Sequence, residues 1–242
     1  MSPTEPDPAE VPPGRLRFKD LCLDAVEPAV AARFWSAALG LEATDRGDLY
    51  VLTDDHAEHT LWVNRVPEPR TVKQRVHLDL HVRAVADLVA LGATVAAELP
   101  HWTVLRDPEG GELCAFERPP DQLPPYRMYE LGVDAADSAA IAGWWAELFG
   151  VEVHQDESGE LCWLEGVPGM PFGLDFVTVP EPKQVKNRVH SDVWGRTADA
   201  VATGARLLRA RDHQISWDVL ADPEGNEFCV FPLAPENAPS TG

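Results

Sequence analysis

The chain has 242 residues, and its 20 basic and 40 acidic side chains give a formal net charge of −20 at pH 7. So acidic a chain repels nucleic-acid phosphates and anionic lipid headgroups, which argues against nucleic-acid and membrane partners. Hydrophobic residues make up 45% of the sequence, enough for two cores of ordinary domain size. The 4 cysteines are dispersed without a CxxC pair, which predicts reduced, mostly buried thiols in a cytoplasmic protein.

The first half is predicted to contain two successive units, each with one strand, one helix and then further strands. Leu16–Asp24 alternates like a strand, and Pro28–Leu39 has the apolar spacing of a helix that stops at Gly40. The other predicted elements are a short helix over Val85–Leu91 and strands at Leu49–Thr53, Thr60–Val66, Arg75–Val82, Thr94–Leu99, Trp102–Leu105 and Glu112–Phe116. Between the last two strands, Asp107-Pro-Glu-Gly is predicted to be a structural turn, in which the aspartate caps its own backbone and the glycine accepts a positive φ.

Three blocks of the first half return in the same order in the second half. Residues 34–42, 67–80 and 102–116 match residues 144–152, 180–193 and 217–231, and the last match pairs WTVLRDPEGGELCAF with WDVLADPEGNEFCVF. The chain is therefore a tandem duplication, and copy two should repeat the same elements, with helices near Ser138–Phe149 and Ala198–Arg209. The predicted organisation is a disordered tail at 1–14, domains at 15–119 and 126–233, a linker at 120–125 and a tail at 234–242.

Period-two alternation divides each strand into an apolar face, expected beneath the helices, and a polar face. On the first strand of copy two it places Tyr129, Leu131 and Val133 on the apolar face. The polar face collects Asp20, Cys22, Asp24, His77, Asp79, His81, Glu112, Cys114 and Phe116 from copy one, and Glu130, Asp134, His190, Asp192, Glu227, Cys229 and Phe231 from copy two. Two interpretations stay open. The polar face is either simply exposed to solvent, or it is a concave cup in which these groups converge around a ligand.

These features resemble the vicinal oxygen chelate superfamily, which includes glyoxalase I, extradiol dioxygenases and bleomycin-resistance proteins. The residues that carry the resemblance are FWSAALG and WWAELFG, RVHLDL and RVHSDV, and the closing DPEGGELCAF and DPEGNEFCVF. The likeness is closest to the glyoxalase-like branch common in high-GC bacteria. It implies an α+β fold of tandem glyoxalase-like domains, each with two βαβββ modules that form a U-shaped, mostly antiparallel sheet with helices on its convex face.

The resemblance also implies where metal ligands would lie. The candidate ligands are Asp20, His77, Glu112, Glu130, His190 and Glu227. Each copy would supply its own acid–histidine pair, Asp20 with His77 and Glu130 with His190. The family's closing-strand carboxylate is replaced by Cys114 and Cys229, so Glu112 and Glu227, two residues away on the same face, are candidate substitutes. A divalent metal (Zn, Ni, Fe or Mn) is one expectation, and a metal-free cup with neutral, core-like thiols is the other.

Several polar-face residues have alternative roles. His77 and His190 are either catalytic or simply hydrogen-bonded to a neighbouring strand acid. The candidate substrate-binding residues are Asp79, Asp192, Trp102 and Trp217, of which the tryptophans either line the cup or pack in the core. Basic pairs, Lys73 with Arg75 and Lys186 with Arg188, either guide an anionic substrate or lie in solvated loops. His56 and His59 are interpreted as accidental neighbours in an acidic loop.

Three functional hypotheses follow. The first is a lyase or isomerase of the glyoxalase kind, which acts on a small oxygen-bearing organic substrate through a metal or an acid–histidine pair. The second is a protein that binds or sequesters a small molecule or antibiotic, like the bleomycin-resistance members. The third is a scaffold or dimer module without an active cup. Because two copies are fused, we expect a monomer or a homodimer.

Overall fold

The computed structural model describes residues 11–233, so residues 1–10 of the predicted first tail and the whole predicted tail at 234–242 lie outside the described residues. Copy one contributes β1 (Leu16–Ala25), α1 (Pro28–Leu39), β2 (Glu42–Asp45), β3 (Leu49–Thr53), β4 (Leu61–Arg65), β5 (Val76–Val82), α2 (Val85–Ala90), β6 (Thr94–Glu98), β7 (Thr103–Arg106) and β8 (Glu112–Glu117). Copy two contributes β9 (Met128–Ala135), α3 (Ser138–Phe149), β10 (Val153–Gln155), β11 (Leu161–Leu164), β12 (Gly173–Thr178), β13 (Val189–Gly195), α4 (Thr197–Ala202), β14 (Arg206–Arg209), β15 (Asp218–Ala221) and β16 (Glu227–Pro232).

The strands form two eight-stranded sheets. Sheet A has the order β14-β15-β16-β13-β1-β4-β3-β2, and sheet B has the order β10-β11-β12-β9-β5-β8-β7-β6. The predicted α+β class, βαβββ modules and mostly antiparallel pairing are confirmed. The expectation that each copy closes its own sheet is wrong, because β1 of copy one pairs with β13 of copy two, and β5 of copy one pairs with β9 of copy two. The chain changes sheets in two crossover segments, 66–75 and 179–188.

Each central strand pair contains a one-residue bulge. In sheet A the register shifts between Phe18 and Asp20, which makes Lys19 the extra residue, and in sheet B the extra residue is Tyr129. A bulge re-aims the side chain of its extra residue. The Tyr129 ring accordingly lies on the polar face, with its centroid 4.4 Å from that of His81. The prediction that Tyr129 lies on the apolar face is therefore wrong.

The apolar faces of both sheets and the inner faces of α1 and α3 form one continuous hydrophobic core. Helix α3 has a side-chain cap, because an Asp137 carboxylate oxygen accepts a hydrogen bond from the Ala140 backbone N–H at 2.9 Å. Helix α1 has no such cap at Glu27. All four cysteines are buried and free of disulfides, as predicted. Across residues 11–233, no helix has the length and apolar character needed to cross a membrane.

The predicted helix at Ala198–Arg209 is too long. Helix α4 ends at Ala202, shortly before Gly204, whose φ of 112° is outside the helical region. Arg206–Arg209 instead forms the edge strand β14, which pairs with β15. Sheet pairing therefore overrides the apolar spacing of this segment.

The turn predicted at Asp107 is confirmed. Its carboxylate Oδ1 accepts hydrogen bonds from the backbone N–H groups of Glu109 at 2.9 Å and Gly111 at 2.8 Å, and Gly110 has a φ of 81°. The other carboxylate oxygen accepts the indole N–H of Trp35 at 3.2 Å. The turn thereby fastens α1, which belongs to a sheet A module, to sheet B.

Candidate functional site

We call the polar face of each sheet its cup. In sheet B, five side chains from β5, β8, β9 and β12 converge as cluster B, namely His77, Asp79, Cys114, Glu130 and Asp175. The strand register sets Asp79 opposite both Glu130 and Cys114, so these three residues lie at one level. The carboxyl groups of Glu130 and Asp175 share a hydrogen bond, and His77 Nδ1 lies 2.6 Å from Asp79 Oδ1.

The titrating groups of cluster B have displaced pKa values. Burial and the neighbouring carboxylates of Asp175 and Asp79 raise the pKa of Glu130 to about 9, and burial raises the pKa of Asp175 to about 6. The carboxyl pair therefore holds a proton at neutral pH. Burial acts to lower the pKa of His77, but the charge and hydrogen bond of Asp79 outweigh it, and the net shift is upward. Cluster B thus combines a protonated carboxyl group with a histidine–carboxylate pair, which suits general acid–base chemistry.

Aromatic side chains form a wall beside cluster B. The Phe116 ring lies 5.0 Å from Tyr129 and stacks at 6.0 Å on Trp102, between ring centroids. The guanidinium carbon of Arg118 lies 5.6 Å from the Tyr129 centroid, within cation–π distance. These side chains and His81 are all partly exposed. They therefore offer an accessible apolar surface with one positive charge.

An open surface pocket of about 680 Å³ adjoins this wall. His81 and Tyr129 line one side of it, and the loop that carries His56 and His59 lines another, together with Tyr126 of the inter-copy connector. The His59 ring stacks on Tyr126 with a centroid distance of 3.9 Å, and the two loop histidines lie 4.8 Å apart. The pair interpreted as accidental neighbours thus borders a space large enough for a small organic molecule.

Sheet A repeats the histidine, aspartate and cysteine at the equivalent positions but differs in the residues around them. Its cluster, which we call cluster A, consists of Lys19, Asp20, Cys22, His190, Asp192 and Cys229. Lys19 Nζ lies 2.5 Å from Asp20 Oδ2, and the same oxygen accepts the indole N–H of Trp62 at 2.8 Å. Burial and the adjacent Asp20 carboxylate raise the pKa of Asp192 well above its usual range. The ammonium group and a protonated carboxyl therefore neutralise cluster A internally.

The two predicted catalytic histidines, His77 and His190, differ in their hydrogen bonds and in the direction of their pKa shifts. His190 Nε2 lies 3.8 Å from Asp192 Oδ1, and its buried Nδ1 has no hydrogen-bond partner within residues 11–233. Burial lowers the pKa of His190 to about 4, although the nearby carboxylate of Asp24 opposes the shift. His77, with its aspartate partner, is the better placed of the two to exchange protons near neutral pH.

A family model for the glyoxalase-like domain matches residues 20–116 and 130–231. The chain belongs to the glyoxalase-like domain family. The fold of this glyoxalase-like protein is similar to that of glyoxalase I from Zea mays, with a TM-score of 0.63 and 12% identity over 89% of this chain and 92% of that chain. It is also similar to a putative dioxygenase from Bacillus subtilis, with a TM-score of 0.61 and 12% identity over 91% of this chain and 86% of that one. No curated protein shows significant similarity in sequence. At such identities the structural likeness shows the fold, in agreement with the superfamily resemblance.

The acid–histidine pairs expected within each copy of this glyoxalase-like protein are wrong. Asp20 lies in sheet A with His190, and Glu130 lies in sheet B with His77, because the sheets exchange modules between copies. Each cup therefore draws its acid and its histidine from different copies.

The two candidate substitute ligands have other contacts. Glu227 accepts hydrogen bonds from Lys183 Nζ at 2.9 Å and from the Asn187 backbone N–H at 3.1 Å. Glu112 Oε1 lies 4.0 Å from an Arg106 guanidinium nitrogen, while its buried Oε2 has no partner in the described part of the chain. Glu227 is thus held by the crossover segment 179–188. Glu112 makes fewer contacts and is freer to bind a metal ion.

The remaining predicted residues lie at the edges of the cups. Trp217 stacks on Phe231 at 5.2 Å, as Trp102 does on its aligned phenylalanine, so both tryptophans occupy wall positions rather than the core. Lys73 Nζ lies 2.7 Å from Asp134, and the aligned Lys186 is bonded to an aspartate in the same way. Arg75 and Arg188 donate to backbone carbonyls of the opposite crossover segment. These basic residues fasten the crossovers to the strands.

Lys19, Trp62, Tyr129 and Asp175 belong to the sites but were not sequence candidates. Alternation assigns Lys19 to the apolar face, and a lysine in that position is the one local sign of a bulge. Asp175 and Trp62 are aligned residues of β12 and β4, the strands that flank β9 and β1. Their strands carried no recognised motif, so only the strand order brings these side chains to the clusters.

Proposed function

We propose that cluster B is the active centre of a glyoxalase-like enzyme that moves a proton on a small oxygen-bearing organic molecule, in lyase or isomerase chemistry. The observation that carries the proposal is the hydrogen-bonded pair of His77 and Asp79 on the same face as the proton-sharing pair of Glu130 and Asp175. The fold family supports a small-molecule role, and the reaction class rests on these four side chains.

His77 would act as the general base. Asp79 holds Nδ1, so Nε2, which makes no hydrogen bond within residues 11–233, is left to take a proton from a carbon beside a carbonyl group. The Asp79 carboxylate then stabilises the imidazolium that forms. The carboxyl pair of Glu130 and Asp175 holds the proton that the substrate oxygen needs as negative charge develops there.

Cluster B also fits a divalent cation (Zn, Ni, Fe or Mn). Ligand atoms of His77, Asp79 and Cys114 lie within 4.8 Å of one another, and two further carboxyl groups face them. In sheet A, the equivalent carboxylate is bonded to a lysine ammonium, which marks the position as one that attracts positive charge. In this metal-loaded alternative the imidazole and the carboxylates would hold the ion, which would supply polarisation of a substrate oxygen, and His77 would be a ligand in place of the general base. Burial raises the pKa of the Cys114 thiol, which makes it the weakest of these ligands.

The wall beside cluster B indicates the substrate class. Tyr129, Phe116 and Trp102 offer ring surfaces to an apolar body, and Arg118 offers a charge to an oxygen-rich or anionic end. The open pocket of about 680 Å³ meets this wall at His81 and Tyr129 and could take the distal part of such a molecule, since the five residues of cluster B do not line it. A carbonyl compound with a polar tail fits these features.

Proton exchange at carbon tests the proposal. A panel of α-hydroxycarbonyl compounds is incubated in D₂O with protein stripped of metal and with protein reloaded with Zn²⁺, Ni²⁺, Fe²⁺ or Mn²⁺, and ¹H NMR follows loss of the α-proton. We expect exchange or isomerisation that falls by roughly 10²–10⁴-fold in His77→Ala. The matched His190→Ala change in sheet A should leave the rate unaltered. Equal losses in the two variants would contradict the assignment to cluster B.

A second candidate is binding or sequestration of a small molecule or antibiotic without chemistry. The partly exposed aromatic wall with its single guanidinium favours it, since neither feature requires proton transfer. Tryptophan fluorescence titrations with aromatic antibiotics, including bleomycin, separate the two functions. Sequestration predicts saturable binding that is weakened in Phe116→Ala and retained in His77→Ala, with the ligand recovered unchanged.

A further inference from the structure

We propose that the cup of sheet A is a cage for a primary ammonium ion and that its resident ligand is the side chain of Lys19. The chain would then have one cup open to other ligands instead of two. This inference concerns sheet A alone and does not depend on the reaction proposed for sheet B.

Three aromatic rings surround the Lys19 ammonium group. Nζ lies 4.3 Å from the ring centroid of Phe231, 5.7 Å from that of Trp194 and 5.9 Å from that of Trp62. A cation within about 6 Å of a ring centroid is attracted by the electron-rich face of the ring. The carboxylate of Asp20 completes the enclosure at 2.5 Å. An ammonium ion enclosed by several rings and one carboxylate has the surroundings of a bound ligand.

The cage is largely shielded from solvent. Lys19 is 8% exposed and Asp20 is fully buried. Trp217 stacks on the outer part of the wall, 5.2 Å from Phe231 between centroids. The bulge in β1 allows this arrangement, because it brings two consecutive residues, Lys19 and Asp20, to the same face of the sheet. The amine is thus built into the strand that also supplies its counter-ion.

Sheet B has aligned positions for all the cage residues, but different side chains occupy most of them. Tyr129 stands in place of Lys19, Asp175 in place of Trp62, and His81 in place of Trp194. Only the ring of Phe116, aligned with Phe231, is kept. Sheet B therefore has a more exposed carboxyl cluster where sheet A has an aromatic enclosure with an internal cation. A metal ion or a cationic substrate entering sheet A would meet a positive charge already in place.

Truncation of the Lys19 side chain should leave an empty cage that binds a free alkylammonium ion in place of the lysine ammonium group. Thermal unfolding of full-length Lys19→Ala is measured with increasing methyl-, ethyl- and propylammonium chloride, against equal concentrations of sodium chloride. We expect a melting temperature a few degrees below that of the wild type, and a saturable recovery with the alkylammonium ions alone. The wild type should show no saturable shift, because its cage is filled. Tyr129→Ala, which truncates the aligned bulge residue in sheet B, is the matched control and should not respond to the amines.

Two results would overturn the proposal: a folded Lys19→Ala variant that gains nothing from alkylammonium ions, or a wild type that gains as much. If the variant fails to fold, NMR of the wild type with ¹³C,¹⁵N-labelled lysine decides. The Cε protons of Lys19 should be shifted upfield by ring currents relative to those of Lys73 and Lys186, whose side chains are 51% and 56% exposed. Superimposable chemical shifts would show that the amine does not lie among the rings.

Discussion

Gly132 lies directly beneath the ring of His77, so that a methyl group at position 132 would come 2.3 Å from the ring carbon Cε1 and 2.8 Å from each ring nitrogen. Space, rather than an unusual φ, requires glycine here, because Gly132 is not among the positive-φ glycines of the described chain. In sheet A the aligned residue is Cys22, whose thiol donates to Asp192 at 3.5 Å. The absent side chain at position 132 therefore makes room for the hydrogen bond between His77 and its aspartate.

Gly132→Ala should displace the His77 ring from Asp79. The aspartate is what raises the pKa of His77, while burial acts to lower it, so loss of the pair should lower that pKa. NMR titration of histidine-labelled protein measures the change. Gly143→Ala, on the exposed side of α3 with nothing within 4 Å, is the control; it should leave the titration unaltered and stabilise the fold by about 0.5–1 kcal/mol. An unchanged His77 titration in Gly132→Ala would contradict this explanation of the glycine.

In the absence of metal, stability should fall as the pH rises between about 5 and 9. The Glu130 carboxyl has an ordinary pKa of 4.5, which the fold raises to about 9, so the folded state holds an extra proton in this interval. A state that binds more protons loses stability as protons become scarcer, and the free energy of unfolding therefore decreases with pH. Urea unfolding in EDTA should show a flatter profile for Glu130→Gln than for the wild type. Glu147→Gln, at an exposed site on α3, is the control and should keep the wild-type dependence of stability on pH. Parallel profiles for all three proteins would contradict the prediction.

Divalent cations should stabilise the protein through cluster B. An ion that binds only the folded state raises the free energy of unfolding by about 2.7 kcal/mol at a hundred times its Kd. Thermal unfolding with Mn²⁺ or Zn²⁺, and then with excess EDTA, measures this gain and its reversal. Asp79→Asn should reduce the gain, whereas Asp192→Asn, the aligned change in the cup that holds Lys19, should retain it. Loss of the gain in both variants, or in neither, would argue against a metal site in cluster B.

The Asp137 cap should make a measurable contribution to stability. Its carboxylate accepts the Ala140 N–H at the start of α3, and removal of such a cap costs roughly 0.5–2 kcal/mol. Urea unfolding of Asp137→Ala should show a loss in this range. Glu27→Ala changes the aligned but non-capping residue before α1 and should have a smaller effect. Equal effects of the two changes would mean that the hydrogen bond at α3 adds nothing.

Local sequence signals predicted the local structure well. Helix α1 has the predicted bounds, Pro28–Leu39, because Pro28 suits the first helical turn and Gly40 adopts the left-handed conformation that ends a helix. The turn at Asp107 was likewise predictable, since the aspartate, proline and glycine act within five residues. Such features depend on contacts between near neighbours in the chain.

The partners of the modules were not predictable from one sequence. The strands that carry His77 and His190 are near-copies of each other, so β1 could pair with either without a change in side-chain pattern. The structure selects the strand of the other copy. The bulges were hidden for a related reason: a single extra residue, Lys19 or Tyr129, reverses the alternation on which the assignment of faces was based.

The exchange of modules between the sheets has a genetic consequence. Deletion of either half of the coding sequence would remove one module from each sheet, because each sheet is joined at a β-pairing between copies. Neither cup can be removed by deletion of one half of the chain without loss of strands from the other cup. The two sheets are therefore inherited as one unit.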